Sequence, residues 1–577
     1  MSTHVNRPAK RRVGRTGDLW WKDAVIYCVD IETFYDSDGD GMGDLDGVTE
    51  RIDYLAELGI SCLWLMPFYP TPDRDGGYDV TDLFGVDAQL GTHGDLVELV
   101  RTANDRGIRV IVDLVVNHTS DQHPWFKEAR KSKDNPYRDY YVWRADEPPD
   151  TSDQVAFPDA EDSIWEYDKR TKEWYLHHFY RFQPDLNFAN PAVREHIAKS
   201  IGFWLELGIA GFRVDAVPYL VQDVDTEQKR PDVPADPHAY LKELRAFLGR
   251  RRGDGILLGE VNLPHKDQAR YFGNGDELTM MFDFIGMQAM YLSLARGDAR
   301  PLAKALKDRP RIHPDCQWAT FVRNHDELTL DKLSAEERQE VFHAFGPEPQ
   351  MQLYGRGLKR RLPPMLDGDP RRIRMVYSLL FSLPGTPTLY YGEEIGMGED
   401  LAAEGRMAVR TPMQWDDSPN GGFSTAPARA LVQRPVPDAY GPEHVNVARQ
   451  RHDHDSLLSF VRMLIHTYRQ CPELGWGDFQ IIRQPLREVL VHRCTWEGGC
   501  VIAVHNLASD PVTVRFAVPE ADGADCADDA EETDEADRSG DHHLDDVFDH
   551  DEIEIEVADG QVELALDGYG FRWFRVR

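Results

Sequence analysis

Three acidic residues stand at the ends of three apolar runs. Gly211-Phe212-Arg213-Val214-Asp215-Ala216-Val217 carries an arginine and an aspartate two residues apart, so on a pleated strand both point to one side. Ile256-Leu257-Leu258-Gly259 leads into Glu260, and Phe321-Val322-Arg323-Asn324-His325 leads into Asp326. An isolated Arg-x-Asp is equally well a structural ion pair; two further acidic strand ends shift the reading toward one shared site. Such a cluster suits a reaction through a cationic transition state. Retaining glycoside cleavage uses two carboxyl groups about 5–5.5 Å apart, one as nucleophile and one as proton donor. A third carboxylate can hold substrate hydroxyls and stabilise positive charge. Arg213 would keep Asp215 ionised, while burial near like charges would raise the pKa of the acid. His118 and His325, each following an asparagine at a strand end, offer neutral donors for sugar hydroxyls. A metal site built from the same histidines and acids is the competing reading, but no H-x-H or H-E-x-x-H spacing supports it.

Elements of a particular kind must bring these ends together. Apolar runs at Ala24–Asp30, Cys62–Met66, Arg109–Val116, Gly211–Val217, Ile256–Glu260, Thr279–Phe284, a run ending at Asp326 and Thr386–Gly392 alternate with stretches of helical period. Examples are Asp46–Leu58, His93–Arg106 and Pro191–Leu207. Strands without polar alternation, separated by helices, predict an α/β fold with a parallel sheet. Eight of them predict a (β/α)8 TIM barrel with its site at the carboxyl ends of the strands. The barrel is expected over 20–118 and 187–455, after a flexible tail at 1–19. Residues 119–186 are too long for an ordinary connection and are read as an inserted domain B. Residues 327–369 are read as a helical, lid-like second insertion. The terminal unit, taken as 456–577, opens with a helix around Ser456–Cys471, and the short β runs after it predict an all-β sandwich, interrupted at 520–551 by an acidic segment too poor in apolar residues to order itself.

Composition narrows the partners. The chain has 577 residues and a net charge of −35, which argues against nucleic acid and anionic membrane. Met1–Gly17 is basic and polar without an apolar core, no run reaches the length of a membrane span, and seven cysteines are scattered without C-x-x-C pairs. A cytoplasmic protein with reduced thiols is expected. Asp36, Asp38, Asp40 and Asp44 alternate with glycines and Met42 in a loop like the first half of an EF-hand. Gly47 stands where the closing glutamate would be. A structural calcium ion is expected there, with the Met42 carbonyl as a further ligand.

In this order, Asp113-Leu-Val-Val-Asn117-His118, Gln183-Pro-Asp185-Leu-Asn187, Gly211-Phe-Arg213-Val-Asp215, Gly259-Glu260-Val-Asn262 and Asn324-His325-Asp326 resemble the signature regions of the α-amylase family, glycoside hydrolase family 13. The resemblance runs from about Trp20 to the C-terminus. It implies Asp215 as nucleophile, Glu260 as general acid/base and Asp326 as transition-state stabiliser. It also implies that Tyr78 stacks on the sugar and that Arg213, His118 and His325 bind it. Gln183-Pro-Asp-Leu-Asn and Arg410-Thr-Pro-Met-Gln-Trp415 resemble the branch acting on short α-glucosides, in which residues matching Asp79 and Arg410 pair to close the pocket. Asn324-His-Asp-Glu327 and Gly355–Leu362 are similar to enzymes that interconvert maltose and trehalose through a covalent glucosyl-enzyme. A hydrolytic α-glucosidase is the alternative. Asn262 and Glu327 are then candidates for holding a retained glucose. A second calcium site would use Asn117, Asp185 and the carbonyls of Tyr219 and Leu220, with Gln222 where the family has a glutamate. Glu404-Gly-Arg-Met-Ala-Val-Arg410 departs from the family's usual D-R-D-G before the arginine. A homo-oligomer and a partner kinase acting on maltose stay open at this stage.

Overall fold

A computed structural model describes residues 17–220, 238–518, 543–548, 554–556 and 560–576. Most of the N-terminal tail, Gln222 and most of the acidic 520–551 segment therefore lie outside the described residues. Eight parallel strands close into a barrel: β1 Ile26–Val29, β2 Cys62–Leu65, β3 Arg109–Leu114, β4 Gly211–Val214, β5 Ile256–Gly259, β6 Met280–Phe282, β7 Gln317–Phe321 and β8 Thr386–Tyr390. They follow chain order around the ring, and β1 pairs with both β2 and β8. Seven fall within the runs expected from sequence; the seventh in order, Gln317–Phe321, ends where the expected run Phe321–Asp326 begins, and Asp326 lies in the loop after it. They are largely apolar because side chains point alternately into the barrel and onto the surrounding helices, and both environments are dry; Asp113 and Arg213 are charged exceptions near the carboxyl ends. The register sets Asp113 opposite Arg213 and Val214 opposite Gly259. Asp215 and Glu260 thus each come one residue after neighbouring strands.

Two insertions stand on that face. Between β3 and β4 the chain builds a three-stranded antiparallel sheet from Trp143–Arg144, Glu173–Leu176 and Trp165–Asp168. Between β7 and β8 the segment expected to be helical has a helix, Ala335–Phe345. It also has a small antiparallel sheet of Leu328–Thr329, Gln352–Leu353 and Gly357–Leu358. The helix expected over Asp46–Leu58 is two, Leu45–Glu50 and Ile52–Leu58, parted at Arg51. Arg51 leaves the ladder with its guanidinium over the rings of Tyr35 and Trp415.

The last unit is all β. A six-stranded sheet and a two-stranded sheet share a separate apolar core that includes Val491, Ile502, Val514, Phe516, Val562 and Phe574. Its first strand is Asp478–Ile481. The helix Leu457–Gln470 packs on helices Pro370–Ser382 and Ile52–Leu58, so it belongs to the outer ring of the barrel and not to the β unit that was expected to begin at 456. Among the described residues, six cysteines are buried free thiols. Among the described residues, no helix is long and apolar enough to cross a membrane.

Candidate active site

A cavity of about 640 Å³ opens at the carboxyl ends of the strands, with Asp75, Tyr78, His118, Asp215, Glu260 and Asp326 on its wall. That volume is in the range of small-molecule sites. Arg213 is the hub behind it. Its Nη1 donates to Asp215 Oδ1 and to Asp113 Oδ1, both at 2.6 Å, and its Nη2 donates to Glu260 Oε2 at 2.7 Å. Asp113 is fixed from its other oxygen by Trp64 Nε1 at 2.7 Å. Ala216, with φ of +50°, turns the chain sharply after Asp215 and points its N–H at Glu260 Oε2, 3.4 Å away.

One guanidinium among three carboxylates leaves the cluster negative. Burial raises the Asp215 carboxyl to about 6, with Arg213 opposing and Asp113 and Asp326 adding to the rise. Burial raises Glu260 to about 7, again against Arg213 and with help from Asp215 and Asp326. Asp326 goes the other way. Burial would raise it too, but the guanidiniums of Arg406, Arg410 and Arg213 together hold it far below the usual carboxylate range. Arg406 Nη1 lies 3.0 Å and Arg410 Nη2 3.1 Å from Asp326 Oδ1. Environment therefore separates the acids, leaving Asp326 firmly anionic and Glu260 able to exchange a proton near neutrality.

The neutral donors are placed around these charges. His325 Nε2 meets Tyr78 Oη at 2.8 Å, and the two rings stack with centroids 5.6 Å apart. Burial keeps the His325 imidazole neutral, its pKa well below the ordinary value. His118, also lowered by burial, bonds the Tyr78 carbonyl at 3.1 Å. Asn262 and Glu327 both reach the cavity wall. Asn262 donates to Asp331 at 2.9 Å, while its own carbonyl oxygen is buried without a partner. Glu327 is held between Arg356 and Arg406, each at 3.1 Å.

The expected Asp79–Arg410 pair does not form. Asp79 faces Thr71 Oγ1 at 2.9 Å, Arg74 Nε at 3.3 Å and the backbone N–H of Arg74 at 3.1 Å, and so organises its own loop. Arg410 instead donates to Asp326 and to the carbonyl of His325. The aspartate in the cavity wall is Asp75. A turn closed by Tyr78 N–H to the Asp75 carbonyl at 3.1 Å sets Asp75 beside Tyr78, and Gln183 Nε2 donates to Asp75 Oδ2 at 2.9 Å. Gly76, with φ of +53°, is required there, since a Cβ would sit 2.2 Å from Arg410 Nη1. Sequence reasoning passed over Asp75, Arg356 and Arg406. For Asp75 the signal was present in Asp75-Gly76-Gly77-Tyr78, because the first and fourth residues of a turn lie side by side.

The acidic loop gathers Asp36, Asp38 and Asp40, with one oxygen of each within 4.8 Å of the others. Asp36 is buried and accepts from the N–H groups of Gly39 and Gly41, whose φ of +79° and +110° fold the loop tightly around it. Such an all-oxygen donor set fits a hard cation. Asp44 is not part of the set, because it caps the helix Leu45–Glu50 through Gly47 N–H and bonds Ser37. At the second expected site Asn117 and Asp185 do meet, at 3.3 Å. His178 joins them, its Nδ1 on one oxygen of Asp185 and its N–H on the other, and its ring lies 4.7 Å from that of Tyr219. Asp185 thus faces nitrogen donors on both oxygens.

The catalytic-domain family described as alpha amylase matches residues 28–342 and 359–477, and a sucrose hydrolase-like C-terminal domain family matches residues 498–575. The chain is 43% identical over 505 residues to the trehalose synthase/amylase TreS of Mycobacterium tuberculosis (strain CDC 1551 / Oshkosh), covering 86% of this chain and 83% of that protein. It is 39% identical to the trehalose synthase of Pimelobacter sp. (strain R48), covering 96% of each, and 32% identical to the oligo-1,6-glucosidase of Parageobacillus thermoglucosidasius, covering 87% and 92%. Among solved structures, an alpha-amylase from H. orenii superposes with a TM-score of 0.75 at 27% identity, covering 96% of this chain and all of that one. The barrel, the strand-end carboxylates and these matches across most of its length agree: the chain belongs to the alpha-amylase family.

Proposed function

We propose that the protein is a retaining α-glucosyl transferase that interconverts maltose and trehalose within one closed site, with minor release of glucose. The observation that carries this is the placement of Asp215 and Glu260 on the two nitrogens of one guanidinium. One guanidinium shared by both keeps the two carboxyls close together, which suits the pair about 5–5.5 Å apart in a retaining enzyme. The similarity to trehalose synthases, at 39–43% identity against 31–33% for glucosidases, favours transfer over hydrolysis.

In this mechanism Asp215 attacks C1 of the non-reducing glucose of maltose, and the bond from C1 to the bridging oxygen breaks. Glu260 gives its proton to that oxygen, so that neutral glucose departs and Glu260 becomes anionic. Asp326, held ionised by Arg406 and Arg410, stabilises the positive charge that develops on the sugar ring. The freed glucose turns over in the cavity and its anomeric oxygen attacks C1. Glu260 takes up the proton of that hydroxyl as the bond to Asp215 breaks, which restores both carboxyls and yields the α,α-1,1 link. The three carboxylates thus act as nucleophile, acid/base and stabiliser. Tyr78, His118, His325 and Arg213 orient the bound ring, Asp75 and Gln183 close its end of the pocket, and Asn262 and Glu327 face the retained glucose. We place a structural calcium ion on Asp36, Asp38 and Asp40, where it would tie the loop after β1.

Incubation with maltose in the presence of ¹³C-labelled glucose tests the reading. Unlabelled trehalose is expected. Labelled trehalose would show that the glucose leaves the site, and glucose formed at twice the rate of maltose loss would identify an α-glucosidase.

A further inference from the structure

Two insertions far apart in sequence meet beside the carboxylates, and one guanidinium lies in the seam. Phe157, from the unit between β3 and β4, is 1% exposed. Its ring stacks on Tyr180 with centroids 4.5 Å apart and meets Tyr354, from the β7–β8 insertion, at 5.1 Å. Tyr354 holds a φ of +55° and is followed by Gly355 at +61°. A tyrosine keeps that backbone only where its surroundings fix it, and such positions gather at ligand clamps. Arg406, from the loop after β8, places its guanidinium carbon 4.8 Å from the Phe157 ring centre and 5.8 Å from that of Tyr354. The same guanidinium holds Asp326 and Glu327. Phe157, Glu327, Arg356 and Arg406 all line the cavity.

We propose that Arg406, clasped between Phe157 and Tyr354, is the specificity-determining tie that keeps water from the glucosyl-enzyme and so sets the ratio of isomerisation to hydrolysis. This rests on the transferase reading above. The intermediate has two competing nucleophiles, the retained glucose and water. The glucose is already in place, so the partition is governed by how well the seam between the insertions is sealed. A planar guanidinium can lie flat on aromatic faces while its edge holds carboxylates, and it is less strongly hydrated than an ammonium. Arg406 lies over the Phe157 ring while holding Asp326 and Glu327, so the group that stabilises Asp326 also fills the seam. A lysine at 406 would keep the charge and lose the planar stacking, which separates sealing from electrostatics.

The test compares the initial glucose-to-trehalose ratio from maltose in the wild type, Arg406→Lys, Phe157→Leu and Tyr354→Gly. Leucine keeps apolar volume at the buried position. Glycine suits the left-handed backbone at 354 and removes the ring without backbone strain, so at least one folded variant is secured. We expect the ratio to rise at least fivefold in each variant. A wild type that isomerises, with all folded variants keeping its ratio, would overturn the clasp alone. A wild type that releases glucose without trehalose would overturn the transferase reading, and this inference with it.

Discussion

Arg213 joins the two carboxylates whose protonation states the reaction needs to differ. The proposed mechanism requires Asp215 ionised and Glu260 protonated. As pH rises through about 6 Asp215 ionises and kcat/KM should climb; as it rises further through about 7 Glu260 loses its proton and the value should fall. A narrow bell with its maximum between these values is the expected profile of kcat/KM in maltose, and a plateau from pH 5 to 9 would contradict the assignment. Replacing Glu260 by Gln should lower kcat by roughly 10²–10⁴-fold and remove the alkaline limb, which a pH–rate series would show. The three acids were legible because each follows an apolar run, and a barrel puts all strand ends on one face. Arg406 was not, because it sits in a loop without periodicity and its role depends on packing between segments some fifty to two hundred and fifty residues away. Asp79 was expected from the resemblance alone; the turn Asp75-Gly76-Gly77-Tyr78, which sets Asp75 beside Tyr78, was in the sequence but not used.

At the scale of single elements, the turn at Asp75–Tyr78 and the acidic loop after β1 each hold part of the site's frame. Gly76→Ala would add a Cβ against Arg410 at a positive φ, with a backbone cost of about 1–2 kcal/mol. Displacing Arg410 from Asp326 should reduce kcat on the order of a hundredfold while the protein stays folded, as read by steady-state kinetics alongside a melting curve. In the acidic loop, saturating calcium should raise Tm over a chelated sample by an amount matching about 2–3 kcal/mol, and Asp38→Asn with Asp40→Asn should abolish that difference. Equal melting with calcium and with chelator would remove the ion from the account. Seven of the eight strands were legible from their largely apolar runs; the seventh in order was read four residues late, on the loop that carries Asp326. The break at Arg51 was not, since the apolar spacing of Val48, Ile52 and Leu55 runs through it unaltered. The helix Leu457–Gln470 was grouped with the strands that follow it because its partner helices lie far upstream in the chain.

Across the whole molecule, the terminal β unit is docked on the barrel through buried imidazoles. Successive residues of its strand Val489–Trp496 alternate between the barrel side and the sandwich core. His492 Nε2 lies 2.9 Å from the Ser382 carbonyl and His505 Nε2 3.0 Å from Ser378 Oγ, both on the helix Pro370–Ser382. Burial lowers His492 to about 4 and also holds His505 well below its ordinary value. Because the folded-state pKa is depressed, this contribution to stability is present above pH 6.5 and is lost as pH falls toward 4. For His492 alone it amounts to about 3 kcal/mol. The decline of Tm between pH 6.5 and 4.5 should therefore be shallower in His492→Gln than in the wild type; parallel declines would contradict the docking argument.

The central claim concerns the chemistry at Asp215, and its most direct test starts the purified enzyme separately from maltose and from trehalose and follows both sugars and glucose by NMR. An isomerase brings the two reactions to the same maltose-to-trehalose ratio with glucose a minor product, and Asp215→Asn leaves both sugars unchanged. Glucose as the main product from either sugar, or two mixtures that never converge, would contradict it.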